Sequence, residues 1–204
     1  MKRWITSDLH LGEPPERLAR ILRRPFDTTQ GHIDHLLASH NALVGPEDEV
    51  IVLGDVCYKY APQYLEAIRD FNGNKTLVRG NHDEVFGDAE LLKYFDLVVS
   101  HGDGIELDLP GVAAWATHYP TRGRPDRFNL VGHVHAAWKV QLNMLNVGVD
   151  TNHFRPHDLS EIRFHLQAIC DFYDDDVWVG YDPINLDHAA KRGRPGSYFK
   201  GEER

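Results

Sequence analysis

Cysteine is nearly absent: Cys57 and Cys170 are the only two in 204 residues. Two thiols cannot build a disulfide framework, so small secreted scaffolds are excluded and a reducing, cytoplasmic setting is expected. Long apolar runs are missing as well. No stretch approaches the roughly 20 residues that cross a bilayer, so no membrane partner is expected. The opening MKRWITSDLH lacks the apolar core and cleavage site of a signal peptide. Basic side chains are the minority, 22 Lys and Arg against 31 Asp and Glu, for a net charge of −9. A coat for nucleic acid held by bulk charge is thereby excluded. A local basic site, or one made positive by bound metal, is not. What the chain has in excess is histidine, 13 residues.

Residues 1–170 read as one domain and 171–204 as a C-terminal extension. Strands are predicted over 3–8, 50–53 and 75–80, with helical spacing between them in Leu18, Ile21 and Leu22. A longer helix is expected after Asp27 or Thr28, either of which suits a cap, carrying Ile33, Leu36, Leu37 and Leu43. A short one starts near Pro62. This alternation predicts an α/β layered fold. Short β-like runs follow, including 104–109, 112–118, 128–135, 138–142 and 145–150. A helix over 157–169, capped by Asp158 or Ser160, closes the domain. The expected architecture is two packed mixed sheets with helices outside.

Polar clusters sit at the ends of these strands: SDLH, GD, GNHD, ATHYP and VGHVH. The carboxyl ends of strands are where α/β proteins place ligand sites. In an extended segment residues i and i+2 share a side, so Asp8 converges with His10 and His133 with His135. Carboxylate and imidazole suit Mn²⁺, Fe or Zn²⁺. Asp8, His10, Asp55, Asn81, His118, His133 and His135 are too many for one divalent ion with an open position. They suit two ions sharing a carboxylate, a pair that clamps both oxygens of a displacement at phosphorus. Two divalent ions outweigh Asp8, Asp55 and a bridging hydroxide, so the pocket attracts a phosphate ester despite the acidic total.

DLH, GD, GNHD, the His of THYP and GHVH, in that order, resemble the calcineurin-like metallophosphoesterase superfamily over about residues 4 to 150. The resemblance implies a four-layer arrangement of two sheets and flanking helices. It implies one metal on Asp8, His10, Asp55 and His135 and a second on Asp55, Asn81, His118 and His133, with Asp55 as the bridge. Mn²⁺ is the expected ion, with Fe, Zn²⁺ or Ni²⁺ as alternatives. His82 then steadies the phosphate or protonates the leaving oxygen, Asp83 orients His82, and a metal-bound hydroxide attacks. The stretches SDLHLGE, RPF and GNKTLVRGNHD look most like compact bacterial and phage-type members. Relatives of that kind include phosphodiesterases for cyclic nucleotides, among them 2′,3′-cyclic ones.

Other tempting residues weigh less. Cys57, a small thiol after a buried strand, reads as core filling. GDVCY matches the GDxxY of purple acid phosphatases, where the tyrosine ligates iron. Those enzymes have Gly where this chain has His10, so Tyr58 is expected as a pocket wall or hydrogen-bond donor to substrate. Arg122 and Arg124, in the first of two RGRP sequences, are candidate phosphate contacts. The second RGRP, in the tail, resembles an AT-hook and carries the alternative of a DNA-binding module. His32 and His35 read as surface of an amphipathic helix. The expected substrate is a small phosphodiester or nucleotide. A phosphomonoesterase or phosphoprotein phosphatase, whose GDxxDRG and GNHE signatures are absent, and a nuclease, disfavoured by the acidic balance, are the enzymatic alternatives.

Overall fold

The computed structural model describes residues 1–100 and 102–172. The second RGRP and nearly all of the C-terminal extension lie outside the described residues, and with them the DNA-binding alternative. Ten strands follow in chain order: β1 (Arg3–Thr6), β2 (Glu49–Val52), β3 (Asn74–Val78), β4 (Leu97–Val99), β5 (Gly104–Leu109), β6 (Val112–Thr117), β7 (Phe128–Val131), β8 (Val140–Gln141), β9 (Met144–Asn146) and β10 (His157–Asp158). They form two mixed five-stranded sheets flanked by helices, in the orders β10-β1-β2-β3-β4 and β5-β6-β7-β9-β8. The two-sheet α/β expectation holds.

In the first sheet β1 to β4 are parallel, and β10 joins β1 antiparallel. Strands buried on both faces read as continuous apolar runs. Trp4, Val50, Val52 and Leu77 face a core shared with the helix Thr29–Asn41 and the helical segment Pro62–Asp70. Ile5, Ile51, Leu53 and Val78 face the second sheet, meeting Leu107, Leu109, Ala114, Ala116, Phe128 and Leu130. Ile162, Leu166 and Ile169 of the helix Ile162–Phe172 join that inter-sheet core.

Local departures have local causes. Thr28, not Asp27, caps its helix: its Oγ1 accepts the Gly31 N–H at 2.9 Å. That helix ends at Asn41, leaving Leu43 exposed beyond it. The segment from Pro62 is a 3₁₀ helix, and its buried residues Leu65 and Ile68 stand three apart, one 3₁₀ turn. Around Leu18 no regular helix forms. A single turn, Pro15–Arg17, passes into a π-turn, Leu18–Leu22, which leaves Ile21 exposed and ends at Arg23 with φ +59°. His157 and Asp158 pair with β1 instead of starting the last helix. Asp158, not Ser160, caps the turn leading into it, accepting the Ser160 N–H at 2.9 Å. Among the described residues no helix is long and apolar enough to cross a membrane.

Candidate metal centre

The carboxyl ends of β1, β2, β3, β6 and β7 meet along one edge of the two sheets. The loops after β1 and β2 are laced together. Asp8 N–H donates to the Gly54 carbonyl at 3.0 Å, His10 N–H to Asp55 at 2.9 Å and Leu11 N–H to Val56 at 2.9 Å. The approach is close enough to require glycine. A Cβ on Gly80 would stand 2.3 Å from Asp55 Oδ1, and one on Gly132 2.0 Å from Ser7 Oγ. These contacts explain the glycines of GNHD and GHVH.

The expected extended geometry is not what aims the side chains. Asp8, His10, Asp55, His133 and His135 all have left-handed backbones, with φ of +60°, +51°, +53°, +72° and +47°. Each such non-glycine residue costs about 1–3 kcal/mol and persists where surrounding structure forces it. Consequently i and i+2 do not act as a pair in the second loop. One ligand atom each from Asp8, His10 and His135 lies within 4.8 Å of the others, while His133 groups with Asp55 and His118. Asp55 stands between the groups: its Oδ2 is 3.5 Å from His10 Nε2 and its Oδ1 3.6 Å from His118 Nε2. Two ligands on a common ion are spaced about 3–3.5 Å apart, given bonds of about 2.1 Å.

Hydrogen bonds fix several of the rings. His118 Nδ1 donates to the Leu53 carbonyl at 2.6 Å, which leaves Nε2 for Asp55 and any cation. His135 Nδ1 donates to Asp150 Oδ2 at 3.0 Å. Asp150 in turn receives Arg24 Nε and Nη2 at 2.7 and 2.8 Å, and Arg24 also donates to the Leu9 and Asp8 carbonyls. The Asp8 carboxylate accepts the His133 N–H at 3.0 Å. Asn81, half-buried after β3, accepts the Tyr119 hydroxyl at 3.5 Å, and the Tyr119 ring packs on His118 and His133.

The electrostatics suit a cation. Burial, then Asp8 and Asp83, push Asp55 up to about 8. Burial, then Arg24 and His135, lower His10 well below its usual range, which keeps it neutral as a ligand must be. Burial opposes charging His135, but its hydrogen bond to Asp150 and the charge of Asp8 raise it. His10 Nδ1 and Nε2 and His118 Nε2 are buried without hydrogen-bond partners among the described residues. Buried imidazole nitrogens of this kind are costly unless something engages them. The donor set and its orphaned atoms fit divalent metal.

Three further expectations change. Asp83 does not orient His82. It is fully buried, and its carboxylate accepts the N–H groups of Asp55, Gly80 and Val56 at 2.8, 2.8 and 3.1 Å, tying the GD loop to the GNHD loop. His82 Nδ1 is buried without a partner. The His82 N–H donates to Asp55 Oδ1 at 2.8 Å, and its ring stands 4.6 Å from His10 and 5.9 Å from Tyr58. Arg124 is engaged elsewhere, stacked 3.5 Å over Trp115 and paired with Glu106. Arg122 is exposed, and its carbonyl accepts the Trp115 indole N–H at 3.2 Å. His32 is buried and faces Arg24 Nη1 at 3.0 Å, while His35 is exposed as expected.

Tyr58 lies beside His82 with the Arg17 guanidinium 5.0 Å over its ring. Cys57 is core: fully buried, its thiol donating to the Ala61 carbonyl at 3.3 Å, and pushed by burial up to about 12. Sequence reasoning missed Glu13, Arg24 and Asp150. Asp150 alone carried a signal, since it follows β9 much as the other ligands follow their strands. Arg24 and Glu13 sit in irregular backbone that periodicity does not read.

Two mixed sheets thus carry five polar loops at their common edge, around a His/Asp cluster that could hold metal. A family model for calcineurin-like phosphoesterases matches residues 1–180. The chain belongs to that family. The Gene 66 protein of Mycobacterium phage L5 is 37% identical over 83 residues, 39% of each chain. The match thus spans about two-fifths of that curated relative. A solved protein of unknown function from Aquifex aeolicus superposes with a TM-score of 0.61 at 23% identity, over 80% of this chain and 98% of that one. It shares the fold. A nuclease of Pseudomonas putida gives a TM-score of 0.46 at 24% identity, over 65% and 61% of the two chains.

Proposed function

We propose that the chain hydrolyses phosphodiesters, small nucleotides such as 2′,3′-cyclic nucleotides, using two divalent ions, Mn²⁺ by preference. The observation that carries this reading is Asp55. Each of its oxygens faces the histidine of a different group, at 3.5 and 3.6 Å. One carboxylate so placed serves two ions. Asp8, His10, Asp55 and His135 hold the first; Asp55, Asn81, His118 and His133 hold the second. When bound, such a pair clamps the phosphoryl oxygens and supplies a water of lowered pKa.

The remaining groups belong to the chain. His82 stands beside His10 at the half-buried margin, where it donates a hydrogen bond to a phosphate oxygen or a proton to the departing ester oxygen. Burial, then Lys59 and Arg17, hold it down at about 4. A bound phosphodiester brings an opposing negative charge that favours the protonated ring. Such acid assistance is typically worth about 10²–10⁴-fold. Asp83 contributes by fixing the Asp55 loop. Tyr58 forms the wall beside His82. The net charge of −9 favours a small substrate over long nucleic acid.

The test is one substrate panel. The protein is stripped of metal, restored with Mn²⁺, and offered bis-(p-nitrophenyl) phosphate, p-nitrophenyl phosphate, 2′,3′- and 3′,5′-cyclic nucleotides and single-stranded DNA. Mn²⁺-dependent turnover of the diesters is expected, with cyclic nucleotides ahead of DNA. Turnover of the monoester alone would make the chain a phosphomonoesterase, DNA ahead of every small substrate would make it a nuclease, and no turnover at all would overturn the enzyme reading.

A further inference from the structure

His10 and His82 share a neighbour outside the seven proposed ligands. Glu13 is fully buried. Its Oε1 accepts the Arg17 Nε–H, and that guanidinium also covers the Tyr58 ring. Its Oε2 lies 3.3 Å from His10 Nδ1. One ligand atom each from His10, Glu13 and His82 falls within 4.8 Å of the other two. Oε2 of Glu13 and Nδ1 of both rings are buried with no hydrogen-bond partner among the described residues. Three unpartnered polar groups converging in one buried place are costly unless they serve one another, directly or through a shared water. Asp83, the acid next to His82 in sequence, is taken up by three backbone N–H groups.

We propose that Glu13 is a positioning residue of this site: its buried carboxylate takes the Nδ1–H of His10 and steadies the Nδ1 edge of His82, fixing both rings at once. This role presupposes the phosphoesterase reading. His10 is then left with Nε2, 3.5 Å from Asp55 Oδ2, as its ligand atom. A carboxylate behind a ligand imidazole sets its tautomer and raises its basicity. His82 is left with Nε2 for the substrate. One acid thereby couples the metal side of the site to the leaving-group side, and Arg17 anchors it from behind.

The test compares the wild-type chain with Glu13→Gln, Glu13→Asp and Arg17→Gln. Nitrogen-15 imidazole spectra are recorded on protein stripped of metal and again after Zn²⁺ loading. Mn²⁺ affinity is measured by competition with a chelator. In the wild type both rings are expected to carry the proton on Nδ1. Glu13→Gln should mix the His82 tautomers and weaken Mn²⁺ binding about 10–100-fold, and Glu13→Asp should recover part of that loss. Arg17→Gln should keep the tautomers. A wild-type His10 or His82 protonated on Nε2 instead would overturn the proposal, and this readout decides even if Glu13→Gln fails to fold. Equal effects of Glu13→Gln and Arg17→Gln would overturn it too, reducing Glu13 to an anchor for Arg17. No substrate enters these measurements, so absent hydrolysis by the wild type would sink the phosphoesterase reading separately.

Discussion

His10 and His135 are braced by carboxylate side chains, whereas His118 and His133 are held chiefly by backbone and rings. Behind His10 stands Glu13 at 3.3 Å, and behind His135 stands Asp150 at 3.0 Å, itself gripped by the buried Arg24. His118 leans on the Leu53 carbonyl at 2.6 Å. His133 is exposed, its ring packed on His118 and Tyr119. Charged partners make imidazole a stronger ligand than a neutral carbonyl does. The side-chain-braced half should therefore hold its ion tightly, and the open half should exchange its own.

The largest expected effect erases the difference between the halves. Asp55→Asn removes the carboxylate that both share. Metal analysis after gel filtration should find neither ion retained, and turnover should fall by more than about 100-fold, the upper end of losses from outer partners alone. Retention of one ion at full occupancy would show that Asp55 serves a single group.

Asp150→Asn and His133→Ala sharpen the contrast from opposite sides. Asp150→Asn should weaken the tight ion about 10–100-fold. It also strands the Arg24 guanidinium, a loss that breaks a buried pair at about 3–5 kcal/mol, so the melting temperature should drop. His133→Ala should release the weak ion, leave the tight one in place and barely move the melt. If both variants lose metal in equal proportion, the two halves are not distinct.

A smaller effect follows pH. Asp55, ordinarily near 3.8, is held at about 8 by burial, then by Asp8 and Asp83. Its folded value is raised, so its contribution to stability is present below the unfolded value and is lost as pH rises through about 8. A cation reverses this by taking the carboxylate. Mn²⁺ should therefore raise the melting temperature more at about pH 8.5 than at about pH 6. Uptake near pH 7 should release protons, seen by calorimetry in two buffers of different ionisation enthalpy. Equal proton release across that range would remove Asp55 as the titrating group.

The braced half was also the less legible one. DLH and GHVH mark their ligands because metal chemistry dictates residue type, and buried parallel strands betray themselves as apolar runs. Glu13 and Arg24 lie on either side of a π-turn with no periodic signature, and Asp150, in the loop after β9, reaches His135 in the loop after the neighbouring β7. Their roles depend on long-range contacts that no local pattern encodes. The i, i+2 argument brought the right residues forward for the wrong reason: left-handed backbone, not extension, aims them. Asp83 shows the reverse failure, since adjacency to His82 hid a carboxylate that faces the neighbouring loop.

Arg124 gives the smallest effect and a control outside both halves. From sequence it was a candidate for phosphate, because its loop separates His118 from His133. In the structure its guanidinium lies 3.5 Å over Trp115 and pairs with Glu106, which Arg127 also contacts. That pair is largely exposed, so solvent screens it, and an exposed cation–π contact is worth about 0.5–1 kcal/mol. Arg124→Ala should thus lower stability by about 1 kcal/mol or less, read as a small shift in a denaturant midpoint. It should leave metal content, kcat and KM for a small diester unchanged. A rise in KM with the fold intact would return Arg124 to the substrate and show that this loop swings toward the open half of the site.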